Sequence, residues 1–358
     1  MFAFILRRAG IILATALTLS FIVFALTNLP SSLEKLAKSE GSVRMSKEEV
    51  QSWLEENGFG GPLLLRYGAW LGVMPGWTHA GEDGVIHGRC IEAGMEPGDH
   101  CGILQGYWGF STVFKQPVSE VMARSLGATG WLMFWVMAVM VPTSLILGVL
   151  AGMREGSRTD RALSTVAIVT TATPEYVSGV VLIALLASAT AGISPLLHDW
   201  GWISGKTLFP GTATAAMEDI TFMNFFLPVM TIALYGIGYI ARMTRASMTE
   251  VMTQQYIRTA RLKGASFRQV VLKHALRNAL IAPFTVIMLQ FPWLLNGVVI
   301  SETLFNYKGF GWTLVQAAGN NDINTLLGCT VVAVFVVLVT QLISEIGYVF
   351  LNPRIRLA

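Results

Sequence analysis

The run "GWLMFWVMAVMVPTSLILGVLAG", residues 130–152, contains no Asp, Glu, Lys, Arg or His. A helix crosses the hydrocarbon core of a bilayer with about 20 mostly apolar residues, and this run has that length without a charge. Outward from it, further apolar runs lie near 9–29, 163–188, 223–241, 280–301 and 324–350. Across the 358 residues, 53% are hydrophobic and only 13% are charged, against about a quarter charged in soluble domains. Mean hydropathy is +0.56. The expected fold is an all-α polytopic membrane protein with six transmembrane helices. A net charge of +3 is too small to suggest a nucleic-acid partner.

Arg7 and Arg8 precede the first run in the manner of a signal peptide. The run exceeds the about 7–15 residues of a signal core, and no A-x-A-like cleavage site follows. It reads as a retained first span. Basic residues set the orientation. With the N-terminus in the cytoplasm, that side receives Arg7, Arg8, Arg154, Arg158, Arg161, Arg242, Arg245, Arg258, Arg261, Lys263, Arg268, Lys273, Arg277, Arg354 and Arg356, opposed chiefly by Glu155, Asp160 and Glu250. The other side receives the segment 31–123 with Glu34, Glu40, Glu48, Glu49, Glu55, Glu56, Glu82, Asp83, Glu92, Glu96, Asp99 and Glu120. Both termini are therefore expected inside. Four regions follow: a first transmembrane helix at 1–30, a partly folded outer segment at 31–123, a five-helix core at 124–352 and a cytoplasmic tail at 353–358.

The outer segment has one clear element. In "SKEEVQSWLEENG", Ser46 and Glu49 have capping-box spacing, Val50, Trp53 and Leu54 form an apolar stripe, and Gly58 suits a helix end. A small helix packed on the outer face of the spans is predicted. Further on, "HGRCIEAGMEPGDHC" holds Cys90 and Cys101, while Cys329 falls in the sixth span. Three states compete for Cys90 and Cys101. They are a disulfide closing a short loop in an oxidising compartment, free thiols, and a zinc site with His87 and His100, whose adjacent His100–Cys101 spacing is unusual for ligands.

Pro142, Pro174, Pro228, Pro283 and Pro292 punctuate the spans and predict bends, which a bundle tolerates where neighbours satisfy the freed backbone groups. Glu175, directly after Pro174, is costly inside a bilayer. It reads equally as a pathway residue or as a protonated packing residue. "GWISGKT", residues 201–207, leaves three residues between Gly201 and Gly205 where a phosphate-binding loop needs four, and it lies outside the membrane between spans. No catalytic residue, metal site or bound cofactor is expected in this chain. ATP chemistry is assigned to a partner.

The basic stretch at 242–279 is the only long cytoplasmic loop, and it reads as two short helices. The first, around "EVMTQQYIRTARLK", is expected to end at Gly264, which accepts the left-handed cap conformation. The second is expected to start at a capping box of Ser266 and Gln269, ahead of "VVLKHALRNAL". A solvated positive-inside face explains the charge but not the caps. A lipid or nucleic-acid patch wants clustered bases, whereas these are spread among apolar residues. A docking element explains both, with small Ala260 and Gly264 allowing close approach to a partner's groove and the bases meeting acids on its rim.

The stretch "YIRTARLKGASFRQVVLKHALRNALIAP" resembles the cytoplasmic loop of inner-membrane permease subunits of ABC importers in the oligopeptide/dipeptide permease B family. The matching positions are Tyr256, Arg258, Thr259, Ala260, Arg261, Lys263 and Gly264, followed by "HALRNA". The N-terminal "FILRRAGIILATALTLSFIVFALTNLP", the turn "GVLAGMREGSRTDR", and "SETLFNYKGFGWTLVQA" with "LNPRIR" are similar to the same family. Gln255 stands where the family often has an acid. The stretch near 75–101 looks like an insertion, so the resemblance is silent on its cysteines.

The resemblance implies a bacterial cytoplasmic (inner) membrane protein that forms half of a pathway with a second homologous permease subunit, as a heterodimer. Two cytoplasmic ATPase subunits carrying ATP and Mg, a periplasmic solute-binding protein and membrane lipid complete the partners. The implied cargo is di- or oligopeptides, and related systems move nickel, oligosaccharides or opines. Two rivals remain: a self-sufficient secondary transporter or channel relaying through Glu175, and a membrane-anchored scaffold.

Overall fold

The computed structural model describes residues 2–81, 84–92 and 94–351. The expected tail 353–358, with Arg354 and Arg356, and the acids Glu82 and Asp83 lie outside the described residues. In chain order the helices are α1 (Phe2–Thr27), α2 (Pro30–Glu40), α3 (Lys47–Glu56), α4 (Leu63–Leu71), α5 (Arg89–Glu92), α6 (Val118–Gly152), α7 (Arg158–Ala172), α8 (Glu175–Leu186) and α9 (Ser194–Asp199). They continue with α10 (Phe222–Met252), α11 (Gln255–Leu262), α12 (Phe267–Gln269), α13 (Leu276–Ala279), α14 (Ile281–Leu304), α15 (Phe310–Gly319) and α16 (Ile323–Leu351). Two strands, β1 (Thr78–Ala80) and β2 (Ile86–Gly88), pair antiparallel with His79 opposite His87. The fold is helical as expected, with this small ribbon of two three-residue strands inside the inserted stretch as an addition.

Among the described residues, four helices taken singly, α1, α6, α10 and α16, are long and apolar enough to cross a membrane. Two further pairs qualify only together: α7 with α8, bent by 108°, and the 267–279 segment with the start of α14, bent by 47°. The third expected span is therefore not one helix. Pro174 disfavours helical backbone at the residue before it, and Thr173 is extended at φ −84°, ψ 122°. Pro142 and Pro228 instead lie within the continuous helices α6 and α10.

The chain divides into two compact units, Met1–Ser125 with Thr313–Val336, and Leu126–Trp312 with Val337–Ala358. In the first unit, α3 begins as its sequence predicts. The Ser46 hydroxyl accepts the Glu49 N–H at 3.3 Å and the Glu49 carboxylate accepts the Ser46 N–H at 2.7 Å. Asn57 closes the helix and Gly58 follows at φ +78°. Trp53, Leu54 and Phe59 pack on a cluster of Phe24, Leu33, Leu36, Trp70, Ile323 and Leu327. The small helix thus covers one end of α1 and of α16. Asp322, fully buried just before α16, accepts the Thr325 N–H at 3.1 Å and hydroxyl at 2.8 Å, and the Ser111 hydroxyl.

Cys90 and Cys101 are joined, their Cα atoms 5.4 Å apart, and both are buried. A disulfide of this kind removes loop-closure entropy from the unfolded chain, which suits an insertion with few apolar residues of its own.

In the second unit α10 is the central helix, packed against α7, α8 and α14. Its Ile232 and Ile240 meet Leu132, Val136 and Met140 of α6, all fully buried. Lipid tails are as apolar as these side chains, so close packing rather than expulsion of water holds such helices together. Small residues permit it: a methyl group on Gly152 of α6 would lie 2.7 Å from the Arg245 carbonyl of α10.

Candidate functional site

The basic loop folds into a block with its own apolar core. Ile257 and Ala260 of α11 join Met248, Val270, Val271, Ala275 and Ala279 in one buried cluster. The first loop helix is shorter than expected, because "EVM" belongs to α10 and the break at Thr253–Gln254 starts α11 at Gln255. Its end is as the sequence predicts. Gly264 sits at φ +81°, its N–H bonds the Arg261 carbonyl at 3.0 Å, and the Ala265 N–H reaches back to the Ala260 carbonyl at 3.2 Å. Those two bonds are the paired 5→2 and 6→1 bonds of a Schellman cap. Ser266 and Gln269 then form the expected capping box, at 3.4 and 3.1 Å. The chain runs on through a π-helical stretch, Val270–Ala275, before α13. No residue pattern announced that stretch.

The block sorts the predicted residues into two faces. Arg258, Thr259, Arg261, Lys263 and Gly264 are exposed, as are Arg268, Lys273 and Arg277. Among the described residues none of these bases forms an ion pair. Tyr256 is exposed on its ring but its hydroxyl accepts an N–H from Asn278 at 2.9 Å, tying α11 to α13. Ala260 corrects the sequence reading. It is 9% exposed and packs inward, so its small size serves the block's own core rather than a partner's groove. Leu262, 81% exposed beside Arg261 and Lys263, is the outward apolar residue that the sequence reading missed.

The block is tied to its surroundings by polar contacts, and the helices it hangs from are tied to each other. The Ser247 hydroxyl of α10 donates to the Ala279 carbonyl of α13 at 2.8 Å. The Arg154 guanidinium lies 5.1 Å from the centre of the Phe267 ring, in cation–π geometry. Asp160, 2% exposed at the start of α7, receives Arg245 of α10 through Nε at 2.5 Å and Nη2 at 2.8 Å. The same carboxylate accepts the Gly156 N–H at 2.9 Å and the Ser164 hydroxyl at 3.1 Å. Every lone pair of Asp160 is thus engaged, the condition under which a buried ion pair is held firmly. Sequence reading counted Asp160 only as an acid among bases. The spacing of Ser157 and Asp160, an N-cap with its N3 partner, was the available signal.

Two further acids stand out, Glu175 half-buried and Glu302 fully buried. Glu175 opens α8 at the 108° bend, and its Oε1 is buried without a hydrogen-bond partner. Glu302 of α14 is fully buried, accepts the Trp312 N–H at 2.9 Å, and also takes the Thr129 hydroxyl of α6. Thr129 in turn accepts the Phe310 N–H at 2.8 Å, and the Tyr307 hydroxyl donates to the Ala128 carbonyl at 2.9 Å. The loop "FNYKGF", 305–310, is therefore pinned to α6 through one carboxylate. Only the partners, brought together from distant parts of the sequence, distinguish Glu302 from an ordinary loop-flanking acid.

Fold and site together define a multi-pass helical membrane protein that displays a rigid, basic, capped helical block on a membrane core. The family described as the binding-protein-dependent transport system inner membrane component matches residues 144–357. A probable peptide ABC transporter permease protein of Sinorhizobium fredii (strain NBRC 101917 / NGR234) is 33% identical over 255 residues, 71% of this chain and 77% of its own. A putative peptide transport system permease protein of Brucella abortus (strain 2308) is 29% identical over 357 residues, 99% of each chain. A dipeptide transport system permease protein of Escherichia coli (strain K12) is 28% identical over 370 residues, again 99% of each. The solved structure of a bacterial ABC transporter involved in the import of the acidic polysaccharide alginate aligns with a TM-score of 0.48 at 15% identity, over 65% of this chain and 81% of that one.

The chain belongs to the family of inner membrane components of binding-protein-dependent transport systems. It is a multi-pass permease subunit of an ABC importer, a transport subunit rather than an enzyme, and its system includes a solute-binding protein and an ATPase.

Proposed function

We propose that this chain forms half of the translocation pathway of a peptide importer, paired with a second, homologous permease. Two ATPase subunits that hold ATP and Mg sit beneath it, and a periplasmic protein delivers di- or oligopeptides from above. The peptide cargo is supported by its similarity to permeases of peptide and dipeptide transport systems. Six crossings follow when each bent helix pair crosses as one span. Both termini and the basic block then lie in the cytoplasm, and the segment 31–123 carrying Cys90 and Cys101 lies in the periplasm, where a disulfide persists.

The observation that carries the coupling role is the block itself. Arg258, Thr259, Arg261, Leu262 and Lys263 project from a helix whose inner face is packed on its own core and whose end is capped. An element that gains nothing further by folding can dock without paying for order, and it transmits displacement because Met248 and Ser247 of α10 are packed on and bonded to it, while Asp160–Arg245 joins α10 to α7. Closing of the ATPases on ATP shifts the block, and the bent spans change which side is open, a two-state change biased by ligand affinity. Family membership replaces the self-sufficient transporter, leaving Glu175 as a pathway candidate at a helix break.

Affinity purification from native membranes in mild detergent, followed by mass spectrometry, tests the assembly. Two P-loop ATPases and a second multi-pass permease are expected to co-purify. A reproducibly lone or self-associated chain overturns the reading.

A further inference from the structure

Within the first unit, α1, α4, the loop after α3 and the start of α16 enclose a cavity of about 430 Å³, within the usual range of small-ligand sites. Phe59, Trp70 and Trp77 form aromatic walls, and Asn57, Arg66 and Asn324 supply polar atoms. The Arg66 guanidinium donates to Asn28 Oδ1 and lies 5.7 Å from the centre of the Phe59 ring. Both contacts are neutral. Among the described residues no carboxylate pairs with Arg66, and burial alone draws its pKa down from the ordinary arginine value. The carboxylate on the wall, Glu55, is exposed and takes the Gln51 amide at 2.8 Å. The other guanidinium on the wall, Arg89, donates to the Cys101 and Tyr107 carbonyls and stacks on Tyr107.

Arg66 is half-buried, and a cation partly withdrawn from water without a counter-ion is stabilised when an anion joins it. Arg recognises carboxylates through paired donors. The two carboxamides fit the opposite polarity. Asn57 Nδ2 is engaged by the Trp53 carbonyl at 2.8 Å and Asn324 Nδ2 by the Phe110 carbonyl at 3.1 Å, which leaves their acceptor oxygens for N–H groups. An anion acceptor, two N–H acceptors and aromatic walls together match one chemistry: a molecule with a carboxylate, amide or ammonium N–H groups and an apolar side chain. We propose that this cavity is a binding site for a short peptide, held by its C-terminal carboxylate on Arg66 with an apolar side chain against Trp70 and Trp77. The proposal rests on the peptide reading of the cargo, and it places a peptide site on the permease within the unit that contains the disulfide.

The test uses the full chain in lipid nanodiscs and isothermal titration with the dipeptide Ala-Phe, its C-terminal amide, and inorganic phosphate. Ala-Phe is expected to bind saturably and the amide at least about tenfold more weakly, as loss of a charged hydrogen bond implies. Arg66→Met is expected to erase that difference. Equal affinity for acid and amide, or no saturable binding, overturns the proposal, and this comparison in the unsubstituted chain holds even where Arg66→Met fails to fold. Phosphate that displaces Ala-Phe at comparable affinity overturns the peptide assignment in favour of a general anion site. Uptake of labelled Ala-Phe by cells carrying the complete system is measured alongside. Uptake without binding to the chain overturns the cavity site and leaves peptide import standing. Peptide-independent uptake of another solute overturns the import reading itself.

Discussion

Gly264 and Gly309 are constrained in different ways, and substitutions separate them. At Gly264 a Cβ meets nothing within 4 Å, but the backbone stands at φ +81°. The cost of a side chain there is conformational, about 1–2 kcal/mol for an ordinary residue in the left-handed region and least for Asn. Gly264→Val is therefore expected to loosen the cap, leave ATP hydrolysis running and reduce uptake several-fold, while Gly264→Asn keeps both. The ratio of uptake to hydrolysis in reconstituted vesicles reads the difference, and normal coupling in the Val variant counts against the mechanism. At Gly309 a Cβ would collide with the Glu302 carboxylate. Gly309→Ala is expected to lower stability by about 1–3 kcal/mol, the usual cost of overpacking, seen as a lowered thermal midpoint in detergent. Gly319→Ala, with open space around it, is the matched control.

Among the elements, α7 and α10 pack closely along their length and are also joined by one ion pair at the start of α7. Asp160 has a side chain 3% exposed and Arg245 one 30% exposed. Removing one partner of a buried pair typically costs about 3–5 kcal/mol. Arg245 retains some water, so Asp160→Asn is expected to cost about 2–3 kcal/mol. Asp160→Asn with Arg245→Gln together should cost less than the sum of the singles, because the second change removes the charge stranded by the first. A double-mutant cycle on thermal unfolding measures this, and strict additivity removes the clamp. The same pair explains why the basic block can act as a lever: its helices continue into α10, and α10 is locked to α7 at the level of the block.

For the molecule as a whole, sidedness and the disulfide are tested together. Cys90 and Cys101 are bonded, and Cys329 is buried. In spheroplasts, a membrane-impermeant maleimide is expected to label the chain only after a reductant, and labelling should vanish in a Cys90→Ser/Cys101→Ser variant. Equal labelling without reductant removes the bond, and labelling only after lysis places the segment carrying Cys90 and Cys101 in the cytoplasm. Family membership and hydropathy agree on a multi-pass inner-membrane protein. The unit that contains the disulfide also includes 313–336, so it is assembled from segments far apart in the sequence.

Local signals in the sequence determined much of this. Apolar length announced the membrane helices, since nothing else makes so long an uncharged run. The capping boxes at Ser46 and Ser266 and the left-handed cap at Gly264 were legible because a helix end needs its donors and acceptors met by residues three or four positions away. What only the tertiary structure decided depends on groups distant in the chain. The inward turn of Ala260, the Asp160–Arg245 clamp and the Thr129–Glu302–Trp312 network each require partners whose proximity no local pattern encodes, whereas the bend at Thr173–Pro174 was announced by its proline and only its 108° size was not. An acid in a sequence is only a charge, and whether it pairs, packs or stays unpartnered as at Glu175 is settled by what the fold brings within hydrogen-bond reach.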